Sequence, residues 1–91
     1  MLKIETNEIG DRLTFRVEGR LAGAGVPALE DCWRTAAARF PHGTFSVDLT
    51  RATFIDHAGS YLLRLMHRDG VSFVTVGLMT EDLPDLLGLR K

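Results

Sequence analysis

One stretch of the chain, residues 47–59 (VDLTRATFIDHAG), most constrains its fold because strand periodicity gives way to helix periodicity within a few residues. Apolar and polar side chains alternate from Thr44 to Thr50, which predicts a half-buried strand. A bend is predicted next, and Asp56 stands where a helix N-cap accepts hydrogen bonds from first-turn amides. A helix is expected from about Asp56 to Arg68. Its N-terminus suits an anion or an acidic partner.

Periodicity also divides the rest of the chain into elements. The segments predict, in order, strands at residues 2–9 and 13–18 joined by a Gly10-Asp11 turn, a helix near 26–40, a strand at 71–78 and a short helix at 83–89. Trp33 lies on the apolar stripe of the first helix, which favours core packing over binding. The dense apolar run at 71–78 indicates a more buried strand. The glycine-rich segment 19–25 matches neither the dinucleotide fingerprint nor a P-loop, so it is predicted to be a strand-to-helix connection.

The predicted element order is β-β-α-β-α-β-α, an α/β fold in one domain that spans residues 1–91. The first two strands form an antiparallel hairpin, and helical crossovers make the second, third and fourth strands parallel. The four-stranded sheet is therefore mixed. Right-handed crossovers added on one side place the helices mainly on one face and leave the other face partly wet.

The composition excludes several classes of protein. Hydrophobic residues make up 45% of the chain and charged residues 25%, which is typical of a folded domain. A formal charge of −1 offers no basic surplus for nucleic acid. No apolar run approaches the roughly 18 residues that span a bilayer, and the first residues lack the order of a signal peptide. With a single Cys32, we expect a cytoplasmic protein without direct membrane insertion.

Residues 56–60 contain an acid, a base and a hydroxyl, but we expect no catalysis from them. Consecutive residues at a helix start do not face one another, and no G-x-S-x-G elbow is present. The three histidines, at 42, 57 and 67, lack the i, i+4 spacing of helical zinc sites, so no metal or other cofactor is expected. Asp56 is expected to cap the helix in any case. Glycine at position 59 indicates that another backbone or a partner passes close by.

Two blocks of the sequence resemble STAS domains, the anti-sigma-factor-antagonist fold of bacteria. The blocks are GRLAG at 19–23 with LEDCW at 29–33, and VDLT at 47–50 with TFID at 53–56 and Ala58-Gly59. The resemblance covers nearly the whole chain and implies a single STAS-like domain. In such domains an anti-sigma kinase phosphorylates a Ser or Thr directly after the bend Asp, and the unmodified form binds the kinase. His57 occupies that phosphoacceptor-equivalent position here, which implies a binding form that the kinase cannot switch off.

The resemblance implies a non-enzymatic module whose protein partner is an anti-sigma kinase or a related protein. The residues expected to contact it lie at the bend and on the second helix: Asp56, His57, Ala58, Gly59, Ser60, Tyr61, Arg64 and Arg68. One alternative is the small cytoplasmic STAS subunit that binds the ATPase of a phospholipid-trafficking ABC transporter. Another is a small-ligand or nucleotide sensor, which the lack of a phosphate-binding loop argues against. A wet sheet face or a strand edge also leaves a homodimer possible, and phosphorylation of Ser60 or Thr53 stays open.

Overall fold

The computed structural model describes residues 2–75 as a four-stranded mixed sheet with two helices. The elements are β1 Leu2–Ile9, β2 Arg12–Leu21, α1 Gly25–Arg39, β3 Thr44–Ile55, α2 His57–Arg68 and β4 Ser72–Val74. The sheet order is β1-β2-β3-β4, with β1 antiparallel to β2 and both β3 and β4 parallel to their neighbours. The predicted α/β class and mixed sheet are confirmed. The predicted helix at 83–89 and the end of the strand at 71–78 lie outside the described residues.

A single hydrophobic core lies between one face of the sheet and the two helices. Its buried residues come from every layer: Leu13, Phe15, Val17 and Leu21 in β2, Val26, Leu29, Trp33 and Ala36 in α1, Val47 and Leu49 in β3, Leu62, Leu63 and Met66 in α2, and Val71. Trp33 is 6% exposed, so its predicted place in the core is confirmed. Both helices pack on the same face, as predicted. Within residues 2–75, no helix covers the opposite face, which we call the open face.

The segment between the second strand and the first helix differs from its prediction. The connection was expected to begin at Gly19, but β2 continues to Leu21, which is completely buried. Leu21 pairs with Ile55 in the parallel ladder. This long-range pairing holds the glycine in a strand, although glycine favours loops when only local preferences act.

The predicted bend after Thr50 is also wrong, because β3 runs without interruption to Ile55. The ladder between β2 and β3 contains two register shifts, one between Arg16 and Glu18 and one between Gly19 and Arg20. At each shift β3 carries one residue more than β2, which is the geometry of a β-bulge. The polar and apolar residues that suggested a bend are therefore strand residues whose alternation is interrupted by bulges.

The last described strand is less buried than its sequence indicated. Ser72 is exposed and Val74 is 47% exposed, because within residues 2–75 β4 is the last strand of the sheet and these two side chains alternate with Phe73, which packs against the core. Val71, just before the strand, is buried in the core. The prediction of a more buried strand is thus wrong for the described part, because apolar composition does not reveal whether a strand is central or at an edge. β1 lies at the other edge of the sheet. A homodimer through an edge or the open face stays a prediction.

Candidate functional site

Asp56 caps α2, as its sequence position predicts. Its Oδ1 accepts a hydrogen bond from the backbone N–H of Gly59 at 2.7 Å, and its Oδ2 accepts one from the N–H of Gly23 at 3.1 Å. The second bond, which ties the helix to the segment after β2, was not predicted. The two amides, that of Gly59 first, hold the pKa of the Asp56 carboxyl below its usual value, and the charges of His57 and Arg20 act in the same direction.

These hydrogen bonds change what the N-terminus of α2 can bind. The sequence suggested that the first amides of the helix face an external anion. The Asp56 carboxylate takes up the N–H of Gly59, and the N–H of Asp56 donates to the carbonyl oxygen of Leu21 at 3.1 Å. The end of the helix thus already holds a negative charge of its own. A bound phosphate would lie beside that carboxylate, which disfavours the nucleotide-sensor alternative.

Gly59 is a packing position. A Cβ added there would lie 2.7 Å from the carbonyl oxygen of Leu21 and 3.1 Å from Cγ2 of Ile55. Those distances are too short for any other residue without movement of the β2 backbone. The predicted close approach of another backbone is confirmed, and that backbone is the end of β2. Gly59 is buried, so it shapes the surface of this region by letting α2 approach the sheet.

The remaining predicted contact residues lie together at the start and along the outer side of α2. His57, Tyr61, Arg64 and Arg68 follow one another at helical spacing (i, i+4, i+7, i+11) on the side opposite the buried residues Leu62, Leu63 and Met66. We call these four residues the α2 stripe. Tyr61 is 55% exposed, and the guanidinium carbon of Arg64 lies 5.5 Å from the centre of its ring. Ala58 is exposed beside the stripe, whereas Asp56 and Ser60 are partly buried.

A second aromatic–arginine pair, which the sequence does not predict, lies near the same end of the molecule. The guanidinium carbon of Arg20 lies 4.4 Å from the ring centre of Phe54, and Phe54 is 44% exposed. The two residues are register partners at the ends of β2 and β3. Arg20 lies close enough to Asp56 for its charge to lower the pKa of that carboxyl. Two adjacent apolar residues, Phe54 and Ile55, interrupt strand alternation, but only the pairing of β3 with β2 shows that the interruption is a bulge.

Charged side chains on the open face form a separate arrangement, with alternating signs across three strands. The ladder partners form two rows, Glu5–Arg16–Asp48 and Lys3–Glu18–Arg51. Arg16 lies 3.9 Å from Glu5 and 3.7 Å from Asp48, and Lys3 lies 3.7 Å from Glu5. Hydrogen bonds from Thr50 lower the pKa of Asp48 most, burial opposes them, and the charges of Arg16 and Arg51 add to the lowering. We call these six residues the charge lattice.

The described residues contain no arrangement typical of a metal centre. In residues 2–75, no three His, Cys, Asp or Glu side chains lie close enough together to hold a metal ion. Both carboxylate oxygens of Asp56 accept hydrogen bonds from backbone amides. This is the geometry of a helix cap, whereas the acid of a catalytic triad orients a histidine. None of the helices in this part of the chain is long and apolar enough to cross a membrane.

Comparison with known proteins identifies the fold. No family model and no curated protein sequence matches the chain. Among solved structures, the anti-sigma factor antagonist SpoIIAA in its unphosphorylated form matches with a TM-score of 0.67 and 14% identity, over 91% of this chain and 96% of SpoIIAA. A STAS domain of an anti-sigma-factor antagonist from Rhodobacter sphaeroides matches with a TM-score of 0.54 and 22% identity, over 84% of this chain and 86% of that one.

A third structure, of the protein Mglu, matches with a TM-score of 0.62 and 23% identity over 81% of this chain. This chain spans only 19% of Mglu. Sequence identities this low establish a shared fold and do not carry over an activity. The chain has the STAS fold, and the resemblance read from its sequence is confirmed at that level.

Proposed function

We propose that this STAS-fold chain is a non-enzymatic interaction module that binds an anti-sigma kinase, or a related protein, in the cytoplasm of a bacterium. The α2 stripe is the observation that carries the proposal. It places an exposed aromatic ring and three basic residues on one side of a helix whose other side is buried in the core. Aromatic and arginine side chains are enriched where proteins bind one another. The match to two anti-sigma factor antagonists over most of their length supports the same kind of partner.

The binding form is constitutive in this proposal, because His57 follows the capping Asp56 directly. A Ser/Thr kinase transfers phosphate to a hydroxyl, and the imidazole of His57 has none. A phosphate at this exposed position would add about −1.5 to −2 charges to a region that otherwise carries basic residues. Its absence leaves the α2 stripe able to bind at all times. Partner switching by phosphorylation would then require an acceptor elsewhere, at Ser60 or Thr53.

A binding measurement tests the docking role. The purified full chain is titrated with an anti-sigma kinase of its own organism in a calorimeter, and the variants His57→Glu and Arg16→Glu are compared. We expect His57→Glu to weaken binding at least about tenfold, since it places a negative charge within the α2 stripe. Arg16→Glu adds a negative charge on the open face and should change the affinity less than about twofold. No binding by the native chain, or equal losses in both variants, would contradict the proposal.

Phosphorylation provides a separate test of constitutive binding. The native chain and His57→Ser are incubated with the same kinase and ATP, and phosphate is located by mass spectrometry. Phosphate should appear only on the new serine and should weaken binding of that variant. Phosphate on Ser60, Thr53 or His57 of the native chain would show that the module is switchable after all. Binding to the ATPase of an ABC transporter, with none to the kinase, would favour the transporter alternative.

A further inference from the structure

We propose that Arg20 and Phe54 anchor the partner at the end of the α2 stripe, and that the partner contributes an acidic protein surface there. This inference rests on the docking function proposed above. It adds two residues from the sheet to a site otherwise built from one helix. It also specifies the chemistry of the partner.

The bulge in β3 explains why Phe54 is available for binding. Gly19 pairs with Ala52, whereas the next residue, Arg20, pairs with Phe54, so Thr53 is the extra residue. If residues 52–54 formed a regular strand without the bulge, alternation would place Phe54 on the same side as Ala52, which packs against the core. The bulge turns the ring to the open face beside Arg20 and lets Ile55 pack against the core instead. Bulges that re-aim a side chain recur beside functional sites.

An arginine contacts an exposed aromatic ring at two places, one at this end of the sheet and one on α2. Arg20 lies over Phe54, and Arg64 lies over Tyr61. A ring contact restricts a guanidinium while its N–H groups stay free to donate to a carboxylate. An arginine held in this way loses less freedom on binding than an unrestrained one. The two pairs therefore form restrained anchors for carboxylates, each with an apolar ring at its side.

The sign of the charge indicates an acidic partner. Within residues 2–75, Arg20, Arg64 and Arg68 form no salt bridge, whereas Arg16 in the charge lattice contacts two carboxylates. The α2 stripe contains no acid; the neighbouring Asp56 keeps its negative charge, but both of its carboxylate oxygens already accept hydrogen bonds from backbone amides. Arginines without an ion-pair partner attract carboxylates and disfavour basic surfaces.

A protein fits this surface better than a membrane or a nucleic acid. An amphipathic helix binds a bilayer through its apolar face, and the apolar face of α2 is already buried against the sheet. Nucleic acid binding relies on many basic contacts, and the chain has eleven lysines and arginines against twelve acids. Binding an acidic protein surface requires only a few anchors, such as the two arginine–ring pairs.

Variants in the complex with the kinase test the two anchors, with matched controls at other positions of the open face. Phe54→Ala and Arg20→Ala should each weaken binding about tenfold. The controls are Val74→Ala, an apolar side chain 47% exposed, and Arg51→Ala, an exposed arginine of the charge lattice. Both controls should stay within about twofold of the native affinity. Arg20→Ala should also reduce the dependence of the affinity on salt. If Phe54→Ala and Arg20→Ala bind like the native chain while His57→Glu does not, this inference fails and the proposed function stands.

A peptide titration tests the chemistry of the partner independently of the kinase. The isotope-labelled full chain is titrated, in NMR experiments, with a glutamate-rich helical peptide carrying one leucine, and with its lysine-rich counterpart. We expect the acidic peptide alone to shift the signals of Arg20, Phe54, Tyr61 and Arg64. Phosphatidylglycerol vesicles replace the peptide in a third arm and should leave these signals unchanged. No response to the acidic peptide, an equal response to both peptides, or a response only to vesicles would overturn the inference.

Discussion

The charge lattice and the α2 stripe are both rich in charged residues, yet they differ in how those charges are arranged. In the lattice, each charge has an opposite charge as its ladder neighbour, and the ion pairs that form measure 3.7–3.9 Å. In the stripe, three basic residues share one side of a helix with an exposed tyrosine. The comparison teaches that charge density alone does not mark a binding surface. Unneutralised charge beside an exposed ring is the more informative signal.

Physical chemistry accounts for the difference. Cross-strand pairs of opposite sign stabilise a sheet modestly, and exposed ion pairs contribute little when their charges are solvated. The field of such pairs cancels at a short distance. Within residues 2–75, Arg64 and Arg68 of the stripe form no ion pair, so their attraction is less cancelled by neighbouring charges than that of Arg16 and extends to another molecule. Replacing a basic residue of the lattice should therefore have small effects on stability and on binding, whereas replacing a basic residue of the stripe should affect binding alone.

The largest effect on the free energy of unfolding is expected at Gly59, where α2 contacts the sheet. Gly59→Val would press a branched side chain against the Leu21 carbonyl, which a Cβ would already meet at 2.7 Å. We expect a loss of about 2–3 kcal/mol in the free energy of unfolding, measured by urea denaturation. Ala58→Val is the matched control, because position 58 is exposed in the same helical turn. It should lose only about 0.5 kcal/mol, the difference in helix propensity. Equal losses would show that β2 does not restrict position 59.

Asp48 belongs to the charge lattice and Asp56 caps α2, and the pKa of each carboxyl is lowered, so the two can be compared by their pH dependence. The folded pKa of each lies below the unfolded value, so each carboxylate stabilises the fold at neutral pH. That contribution is lost as the pH falls through the folded pKa. Asp56→Asn and Asp48→Asn should each lower the Tm at pH 7, and this difference should begin to shrink below about pH 4 and disappear below the folded pKa. The Tm is measured by circular dichroism from pH 2 to 8.

The effect of salt on the Tm should distinguish Asp48 from Asp56. Hydrogen bonds are the main cause of the lowered pKa of both carboxyls, but Asp48 also forms an ion pair with Arg16 at 3.7 Å, whereas Asp56 forms none within residues 2–75. In 1 M NaCl, the Tm difference caused by Asp48→Asn should shrink more than that caused by Asp56→Asn, because salt screens charges more than it weakens short hydrogen bonds. An equal salt response would mean that the charge lattice does not act on Asp48.

The smallest effect is expected for single arginines. Arg16→Ala and Arg64→Ala should each change the free energy of unfolding by no more than about 0.5 kcal/mol, since both side chains reach solvent and exposed ion pairs are weak. The kinase titration should then distinguish them, with weaker binding only for Arg64→Ala. A large loss of stability for Arg16→Ala would show that the lattice is structurally essential. Equal affinities would remove Arg64 from the binding surface.

Much of the fold could be predicted because its signals are local. Periodicity located both helices and the first hairpin, and the Asp56 cap and the restriction at Gly59 followed from their places at a helix start. The errors concern strands. The sequence predicts loops at the ends of β2 and β3 because Gly19 and the 51–55 segment look irregular in isolation. Their pairing with each other makes them strands, and local preference does not contain that information.

The candidate site also contains residues that the sequence predicts and residues that it does not. The α2 stripe could be predicted from helical spacing alone, because residues three or four apart share a side of a helix. Arg20 and Phe54 could not, since they are far apart in the sequence and become neighbours only when β2 and β3 align. The bond between Asp56 and Gly23 was missed for the same reason.

The strand–helix unit at residues 47–59, the capping Asp56 and the histidine after it follow from the order of the amino acids, since they depend on side-chain period and on chemistry within one turn. Two other features required the folded chain: the bulge that turns Phe54 outward, and the contact of Gly59 with the backbone of β2. Both depend on the register between strands distant in the sequence. That register is set by the packing of the whole core, which no local pattern encodes.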